Sequence, residues 1–504
     1  MSAEDPTTTG ERSTAAEVYA DLLDRAPENR MEPRMEPMRR IMELLGEPQR
    51  SAPVIHLTGT NGKTSTARMI EALLRAHGLR TGRYTSPHLV SVTERICLDG
   101  EPVEEETFVR VWNEILPLVT LVDAELIEAG ENRLTYFEAV TALGFAIFAD
   151  APVDVMILEV GLGGVTDATN VADAQVSVIT PISLDHTELL GDTEGEIAEE
   201  KSGIIKPGGF LVSSRQDPDA AQVLLDRARE VGAAFRFQDI EFGVSERNVA
   251  VGGQQVTLVG LAGTYENLML PMHGAHQAEN LSVAVAAVEA FIGGGETELG
   301  EDVLAQALTL MSSPGRLEVL KTKPPLVIDA AHNPAGIRVA AAAVQEAFGF
   351  SRTVLVVGIL AEKDSLGILT ALREEFDGAL LCLTASDSPR AVSAEELGET
   401  ALDAGWDEDD IHVSDDVVGA LRWAVDQAQN ITAAQPEGVG GGILVTGSIT
   451  LIGQLRDLLG PGPDQADAGV VVDPLDVSAE LAVLEAMEPP VTDEDSDEDS
   501  EGEA

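Results

Sequence analysis

Lysine is nearly missing from this chain. Only six occur in 504 residues, against 87 Asp and Glu, and the formal net charge is −55. Non-specific nucleic-acid binding needs an extended Lys/Arg stripe, and none is present. DNA, RNA and anionic membranes are therefore excluded as expected partners. Cysteine is as scarce: Cys97 and Cys382 stand far apart and suggest no disulfide framework. Aromatics make up 4 %, so the core must be mostly Leu, Val, Ile and Ala. No apolar run reaches the roughly 18 residues of a membrane span. The stretch Leu143 to Val160 comes closest, and Asp150, Pro152, Asp154 and Glu159 break it. The polar N-terminus lacks a basic segment followed by an apolar one, so no signal peptide is visible. A soluble, cytoplasmic protein is expected.

The length suits two or three domains. Residues 1–15 read as disordered, and 16–45 as mostly helical with a basic patch at Arg34, Arg39 and Arg40. Apolar strands at Val54–Thr58, Val155–Val160, Val176–Thr180 and Phe210–Ser213 alternate with helical patterns, the mark of a parallel α/β sheet. Residues 240–272 suggest a small antiparallel excursion, and Leu281–Phe291 a buried helix. Ser-Ser-Pro-Gly within Met311–Arg316 marks a boundary. A second α/β unit follows, with strands at Val327–Ile328, Thr353–Val357, Ala379–Leu383 and Ile443–Thr446, and a loop at Gly438–Gly442. The expected division is a nucleotide-binding domain over 16–312, a second domain over 313–460 and an acidic, disordered tail over 461–504. Leu475–Met487 could form a short helix within that tail.

The strongest local signal is Val54-Ile55-His56-Leu57-Thr58-Gly59-Thr60-Asn61-Gly62-Lys63-Thr64-Ser65. Strand, glycine turn and helix start succeed one another. Backbone N–H groups of such a turn surround phosphate oxygens. Lys63 would reach the β/γ-phosphates and the Thr64 hydroxyl would ligate Mg²⁺. The common P-loop has four residues between its glycines; Gly59 and Gly62 enclose two. In a chain with six lysines, one directly after Gly62 is poorly explained as surface filler.

With this shortened spacing, Gly-Thr-Asn-Gly-Lys-Thr resembles the Mur-ligase superfamily. Further motifs resemble one branch of it, the folylpolyglutamate synthase/dihydrofolate synthase family. They are Leu158-Glu159-Val160-Gly161-Leu162-Gly163-Gly164 with Asp167-Ala168-Thr169-Asn170, Leu184-Asp185-His186-Thr187-Glu188-Leu189-Leu190-Gly191, and Glu200-Lys201-Ser202-Gly203-Ile204-Ile205-Lys206. Pro314-Gly315-Arg316-Leu317-Glu318, Asp329-Ala330-Ala331-His332-Asn333-Pro334 and Thr446-Gly447-Ser448 complete the set. Their order spans about residues 16–460. Val165 and Thr166 depart from the Arg and bulky apolar residue that many members carry. The resemblance implies a P-loop NTPase-like N-terminal domain with a parallel sheet and a smaller Rossmann-like α/β C-terminal domain. It implies ATP and Mg²⁺ as cofactors, and a folate or dihydropteroate and L-glutamate as substrates. A monomer is expected.

Joining a carboxylate to an amine in water is uphill, so the acid must first be activated, here as an acyl phosphate. The resemblance implies that Gly59, Thr60, Asn61, Gly62, Lys63, Thr64 and Ser65 hold the nucleotide phosphates. Asn280 would touch adenine, and Arg316 and Asp329 the phosphate and ribose. Thr64, Ser86, Glu138 and His186 are the implied metal ligands. Lys201 is the position that family members carbamylate, and His332 approaches the glutamate or the phosphates. Thr135, Tyr136 and Phe137, with Glu159, Val160 and Gly161, are implied neighbours of the pterin. Local residues alone also allow blander readings. Ser86 reads as a turn before Pro87, and Glu138 as a solvated helical face. Lys201 reads as a surface lysine beside Glu199 and Glu200. Arg316 reads as a hinge ion pair, Asp329 as a strand-end cap, and Tyr136 and Phe137 as core. Two rival functions stand beside the ligase on folates: a Mur-type ligase acting on a cell-wall nucleotide, and a nucleotide-binding module without catalysis.

Overall fold

The computed structural model describes residues 11–27, 32–434 and 439–460. Among these residues three sheets organise the chain. The largest has eight strands in the order Glu101–Pro102, Ile96–Leu98, Thr81–Tyr84, Val155–Glu159, Val54–Thr58, Val176–Ile179, Phe210–Ser213 and Ala234–Phe237. The first two pairings, on either side of Ile96–Leu98, are antiparallel and the remaining five are parallel.

Side-chain alternation along the central strands builds two cores from one sheet. Val54, Met156 and Leu158 face the helices Glu105–Glu128 and Tyr136–Asp150. Ile55, Leu57, Val155 and Ile157 face Lys63–Ala76, Ala275–Gly293 and Glu301–Leu310. Val54–Thr58 is buried along its whole length, as a strand covered on both faces must be. The antiparallel excursion is a three-stranded sheet of Gly243–Ala250, Gly253–Val259 and Thr264–Leu270. It seals the second of these cores with Val256, Leu258, Tyr265 and Leu270.

The helix Glu301–Leu310 is the last element before the second unit. Its six strands run Glu318–Thr322, Pro325–Ile328, Gly441–Thr446, Arg352–Val357, Leu380–Leu383 and Ile411–Val413. The first pair is antiparallel and the others are parallel, with helices over both faces. The fold is thus α/β with a P-loop-type N-terminal domain and a smaller Rossmann-like one.

Some local expectations change. Residues 12–15, expected within a disordered N-terminus, are structured: Thr14 caps the helix Ala15–Leu23, and Arg12 binds Asp21 and Asn113. The helical stretch 16–45 is two helices, Ala15–Leu23 and Glu36–Leu44. The three arginines form no free basic patch, because each meets acids: Arg34 with Glu138, Arg39 with Glu36 and Arg40 with Glu125. Gly441 and Gly442 belong to a strand rather than a loop. Residues 1–10 and the tail 461–504, with the helix expected at Leu475–Met487, lie outside the described residues. No helix of the described residues is long and apolar enough to cross a membrane.

Candidate active site

The glycine turn leaves the buried strand Val54–Thr58 and enters the helix Lys63–Ala76. Gly62 caps that helix at φ +83°, and a Cβ there would lie 2.7 Å from Asn280 Oδ1. Both the backbone conformation and the close approach therefore require glycine. Thr60 and Asn61 N–H donate to Pro181 O at 2.9 and 3.3 Å, which ties the turn to the neighbouring strand. The first N–H groups of the helix have no partner within it, so an anion is welcome at this end. Lys63 Nζ folds back onto Gly59 O at 3.0 Å and Thr60 O at 3.3 Å.

Thr64 Oγ1 donates to Glu159, with both carboxylate oxygens at 2.9 Å. Glu159 ends the adjacent strand and is fully buried. Burial raises its pKa, while Lys63, the Thr64 hydroxyl and the Ser86 N–H oppose the rise. Thr64, Ser86 and Glu159 thus meet beside the loop, and hard oxygen donors of this kind suit a divalent cation such as Mg²⁺. Among the described residues no cluster of three or more His, Cys, Asp or Glu could hold a metal by itself. A cation here would lean on hydroxyls and nucleotide oxygens.

Glu138 is a correction. Its carboxylate accepts Arg34 Nε and Nη2 at 3.2 and 2.9 Å and Thr135 N at 2.7 Å, in a capping box at the start of Tyr136–Asp150. Both oxygens are committed to a helix end and an arginine, so Glu138 does not join the metal-binding set. Glu159, expected beside the pterin, accepts the Thr64 hydroxyl at the loop.

Lys201 is no surface lysine. It is buried on the helix Glu194–Ser202, and its Nζ donates to Gly59 O at 3.0 Å. One carbonyl therefore receives two lysines. Burial and the charge of Lys63 push Lys201 down to about 7.

The second domain reaches the loop at Asp185. Lys363 Nζ lies 3.2 and 3.5 Å from its two carboxylate oxygens and 3.2 Å from His186 Nε2. Asn333 Nδ2 donates to Asp185 Oδ2 at 3.2 Å and to Asn61 Oδ1 at 3.3 Å. His332 Nδ1 lies 3.0 Å from Ala330 O, and its Nε2 lies 3.9 Å from Asp185 Oδ2. Desolvation and the nearby Lys363 push His332 down to about 3, so it is neutral at ordinary pH. Ser65 Oγ and Ser313 Oγ, 2.8 Å apart, join the loop's helix to the connecting segment.

The remaining expected residues divide. Asn280 stands against Gly62, with its Nδ2 on Gln277. Asp329 accepts Leu317 N and Ala331 N at 2.9 and 2.8 Å, which is the capping role; Arg316 stabilises its charge against burial. Phe137 and Gly161 meet, since a Cβ on Gly161 would lie 2.6 Å from the Phe137 ring. Tyr136 is buried beneath Arg95, whose guanidinium sits 5.2 Å from the ring centre, and Thr135 serves as helix cap. Val160 is buried and donates its N–H to Leu57 O. Sequence reasoning assigned no role to Asp185, Asn333 or Lys363. Scarcity of lysine was an available signal for Lys363, as it was for Lys63.

Comparison with known proteins places this geometry. The Mur ligase middle domain matches residues 57–288, and the Mur ligase glutamate ligase domain matches 315–448. A dihydrofolate synthase/folylpolyglutamate synthase of Mycobacterium tuberculosis is 44 % identical over 463 residues, covering 88 % of this chain and 93 % of that protein. The structure of a folylpolyglutamate synthase of the same organism complexed with ADP has a TM-score of 0.84 at 42 % identity, over 89 % of this chain and 99 % of that one. An Escherichia coli FolC structure with DHPP and ADP has a TM-score of 0.73 at 29 % identity, over 89 % of this chain and 98 % of that one. The chain belongs to the folylpolyglutamate synthase/dihydrofolate synthase family of Mur ligases.

Proposed function

We propose that this protein is an ATP-dependent, ADP-forming ligase that joins L-glutamate to folates through an acyl phosphate. It extends tetrahydrofolate with glutamate and converts dihydropteroate to dihydrofolate. One observation carries the reading: Lys63 and Lys201 meet at the Gly59 carbonyl, beside the Thr64–Glu159 pair. Both reactants are anionic, so the site must neutralise charge and align atoms, and this is where positive groups and a buried acid converge. The pairing of both activity names in the Mycobacterium tuberculosis relative supports the double activity.

In this reading residues 59–65 cradle the triphosphate, and Lys63 leaves the Gly59 and Thr60 carbonyls to meet it. Thr64, Ser86 and Glu159 would hold Mg²⁺, with His186 at a second position. When bound, that ion neutralises phosphate charge. Lys201, its pKa depressed to about 7 so that a sizeable share of the amine is unprotonated near neutral pH, adds to carbon dioxide, releases a proton and becomes an anionic carbamate beside the loop. Asn280 and Arg316 contact the nucleotide, and Asp329 holds the backbone that carries Arg316. Neutral His332 offers Nε2 to the incoming amine. Phe137, against Gly161, borders the pterin. Closure of the second domain excludes the water that would hydrolyse an acyl phosphate. The working unit is a cytoplasmic monomer.

The test uses purified protein with ATP, Mg²⁺ and glutamate, and either dihydropteroate or tetrahydrofolate. ADP and a glutamylated product are expected with each acceptor. ADP release stimulated only by a cell-wall nucleotide precursor would favour the rival ligase. Product formation by Lys63→Ala at the unaltered rate would overturn the mechanism.

A further inference from the structure

The two domains touch the phosphate loop through a cluster centred on one carboxylate. Asp185 belongs to the first domain, on the loop after the strand Val176–Ile179. Its polar neighbours across the boundary are Lys363, Asn333 and His332, all of the second domain. On its own side Asp185 Oδ1 accepts the His186 N–H at 3.0 Å, and the His186 ring Nε2 lies 3.9 Å from it. The Lys363–Asp185 pair is well covered, with side-chain exposures of 10 % and 15 %. Little water competes for it, so its attraction exceeds that of a surface pair. Asn333 extends the cluster to Asn61 of the turn itself. Another interdomain ion pair, Arg247 with Glu346, joins the three-stranded sheet to the helix Pro334–Phe348 and is more open, at 23 % and 35 %.

We propose that Asp185 is a positioning residue: a clasp that fixes the closed arrangement of the two domains over the phosphate loop. It takes no part in phosphoryl or amide transfer. The carboxylate gathers a cation, an amide and an imidazole that otherwise ride on a separate sheet, and so sets the distance from that sheet to the loop. The clasp is specific in charge. Lys363 left without Asp185 would be a nearly buried ammonium with His186 as its remaining partner, so losing either member opens the boundary rather than loosening it slightly. The turnover part of this inference rests on the ligase reading; the domain geometry does not.

The experiment measures one distance and one rate in the full chain. Spin labels are placed at Glu128→Cys and Glu399→Cys, exposed positions of the first and second domains, while the native cysteines are buried. Electron–electron resonance is recorded with ADP bound. A narrow distance distribution is expected for the parent chain, for Arg247→Ala and for Lys363→Arg, and a broader, longer one for Lys363→Met. Misplacement by an ångström can cost about 100-fold in rate, so kcat should fall about that much in Lys363→Met and recover substantially in Lys363→Arg. If Lys363→Met fails to fold, Asp185→Asn, which keeps shape and accepts hydrogen bonds, takes its place. A narrow distribution in the charge-removing variant overturns the clasp, whether or not turnover falls. Equal broadening in Arg247→Ala overturns it too. A parent chain with no ligase turnover would sink the ligase reading while leaving the distance measurement to judge the clasp.

Discussion

Two glutamates of the first domain, Glu138 and Glu159, should fail in opposite ways when neutralised. Glu159 receives the Thr64 hydroxyl at 2.9 Å and faces Lys63 and Ser86. Glu159→Gln keeps the volume and removes the charge. Loss of a preorganised electrostatic group typically costs about 10²–10³ in kcat, or about 3–4 kcal/mol of barrier. Stability should move the other way. Burial raises the Glu159 pKa, so the folded chain holds its proton more tightly than the unfolded one. The buried charge therefore costs stability once pH climbs above the ordinary value of 4.5, and glutamine removes that cost. The ligand-free melting midpoint at pH 7 should be unchanged or higher. Glu138→Gln should show the reverse. Its partner Arg34 is 12 % exposed and Glu138 itself 7 %, and breaking a buried pair costs about 3–5 kcal/mol. Arg34 keeps Glu32 at 2.9 Å and the carbonyls of Asn132 and Arg133 at 2.8 and 3.0 Å. The expected loss is therefore lower, about 2 kcal/mol, which lowers the midpoint by a few degrees. Glutamine can still accept the Thr135 N–H, so kcat should stay within about threefold. Steady-state glutamate ligation and thermal unfolding on both variants decide it. A comparable kcat loss in Glu138→Gln would refute the assignment of the carboxylate to position 159.

Lys201→Met should abolish ligation and raise ligand-free stability at pH 7, because the native lysine is buried and depressed to about 7 from its ordinary 10.5. Between those two pH values the unfolded chain binds the proton and the folded chain does not. Parent stability should therefore rise with pH across that window relative to Lys201→Met, and denaturant titrations at pH 7 and 9.5 check the sign. A constant difference between the two proteins would show that Lys201 is not depressed. Gly161→Ala should push the Phe137 ring, which would lie 2.6 Å from the new Cβ. We expect the KM for the pteridine substrate to rise about tenfold with the KM for ATP unmoved. An unchanged acceptor KM would place the pterin elsewhere.

The sheet strands and the turn were legible because each is written in consecutive residues. Val54–Thr58, three aliphatic residues with His56 and Thr58 between and after them, reads as a short buried strand, and Gly62-Lys63-Thr64 carries the turn and its charge together. The alternation that sends Val54 and Ile55 into different cores is also a local property. Glu138 went astray although its own signal was present. Thr135-Tyr136-Phe137-Glu138 has the Thr-x-x-Glu spacing of a capping box, which uses the carboxylate at the helix start and predicts the observed bond to Thr135 N. A glutamate among apolar residues has two physical explanations, a cap and a ligand, and the three-residue offset from Thr135 is enough to favour the cap.

Lys363, Asn333 and Asp185 are a different case. Asp185 lies 178 residues from Lys363 and 148 from Asn333 in sequence, and their meeting depends on how two separately cored domains dock. No period or spacing encodes such a contact. What the sequence does contain is the cost of burying each group. A lysine in a chain that otherwise avoids lysine, set within Ala361-Glu362-Lys363-Asp364, has no local reason to be neutralised and covered. Its flanking acids are engaged elsewhere, Glu362 with Arg390 and Asp364 at the cap of the next helix, and its charge is met by Asp185 of the first domain. The rarity that singles out Lys63 directly after Gly62 applies with equal force to Lys363. Three of the six lysines gather around one turn, and two of them, Lys63 and Lys363, bring positive charge to where a strongly acidic protein must receive an anionic nucleotide and an anionic acid together.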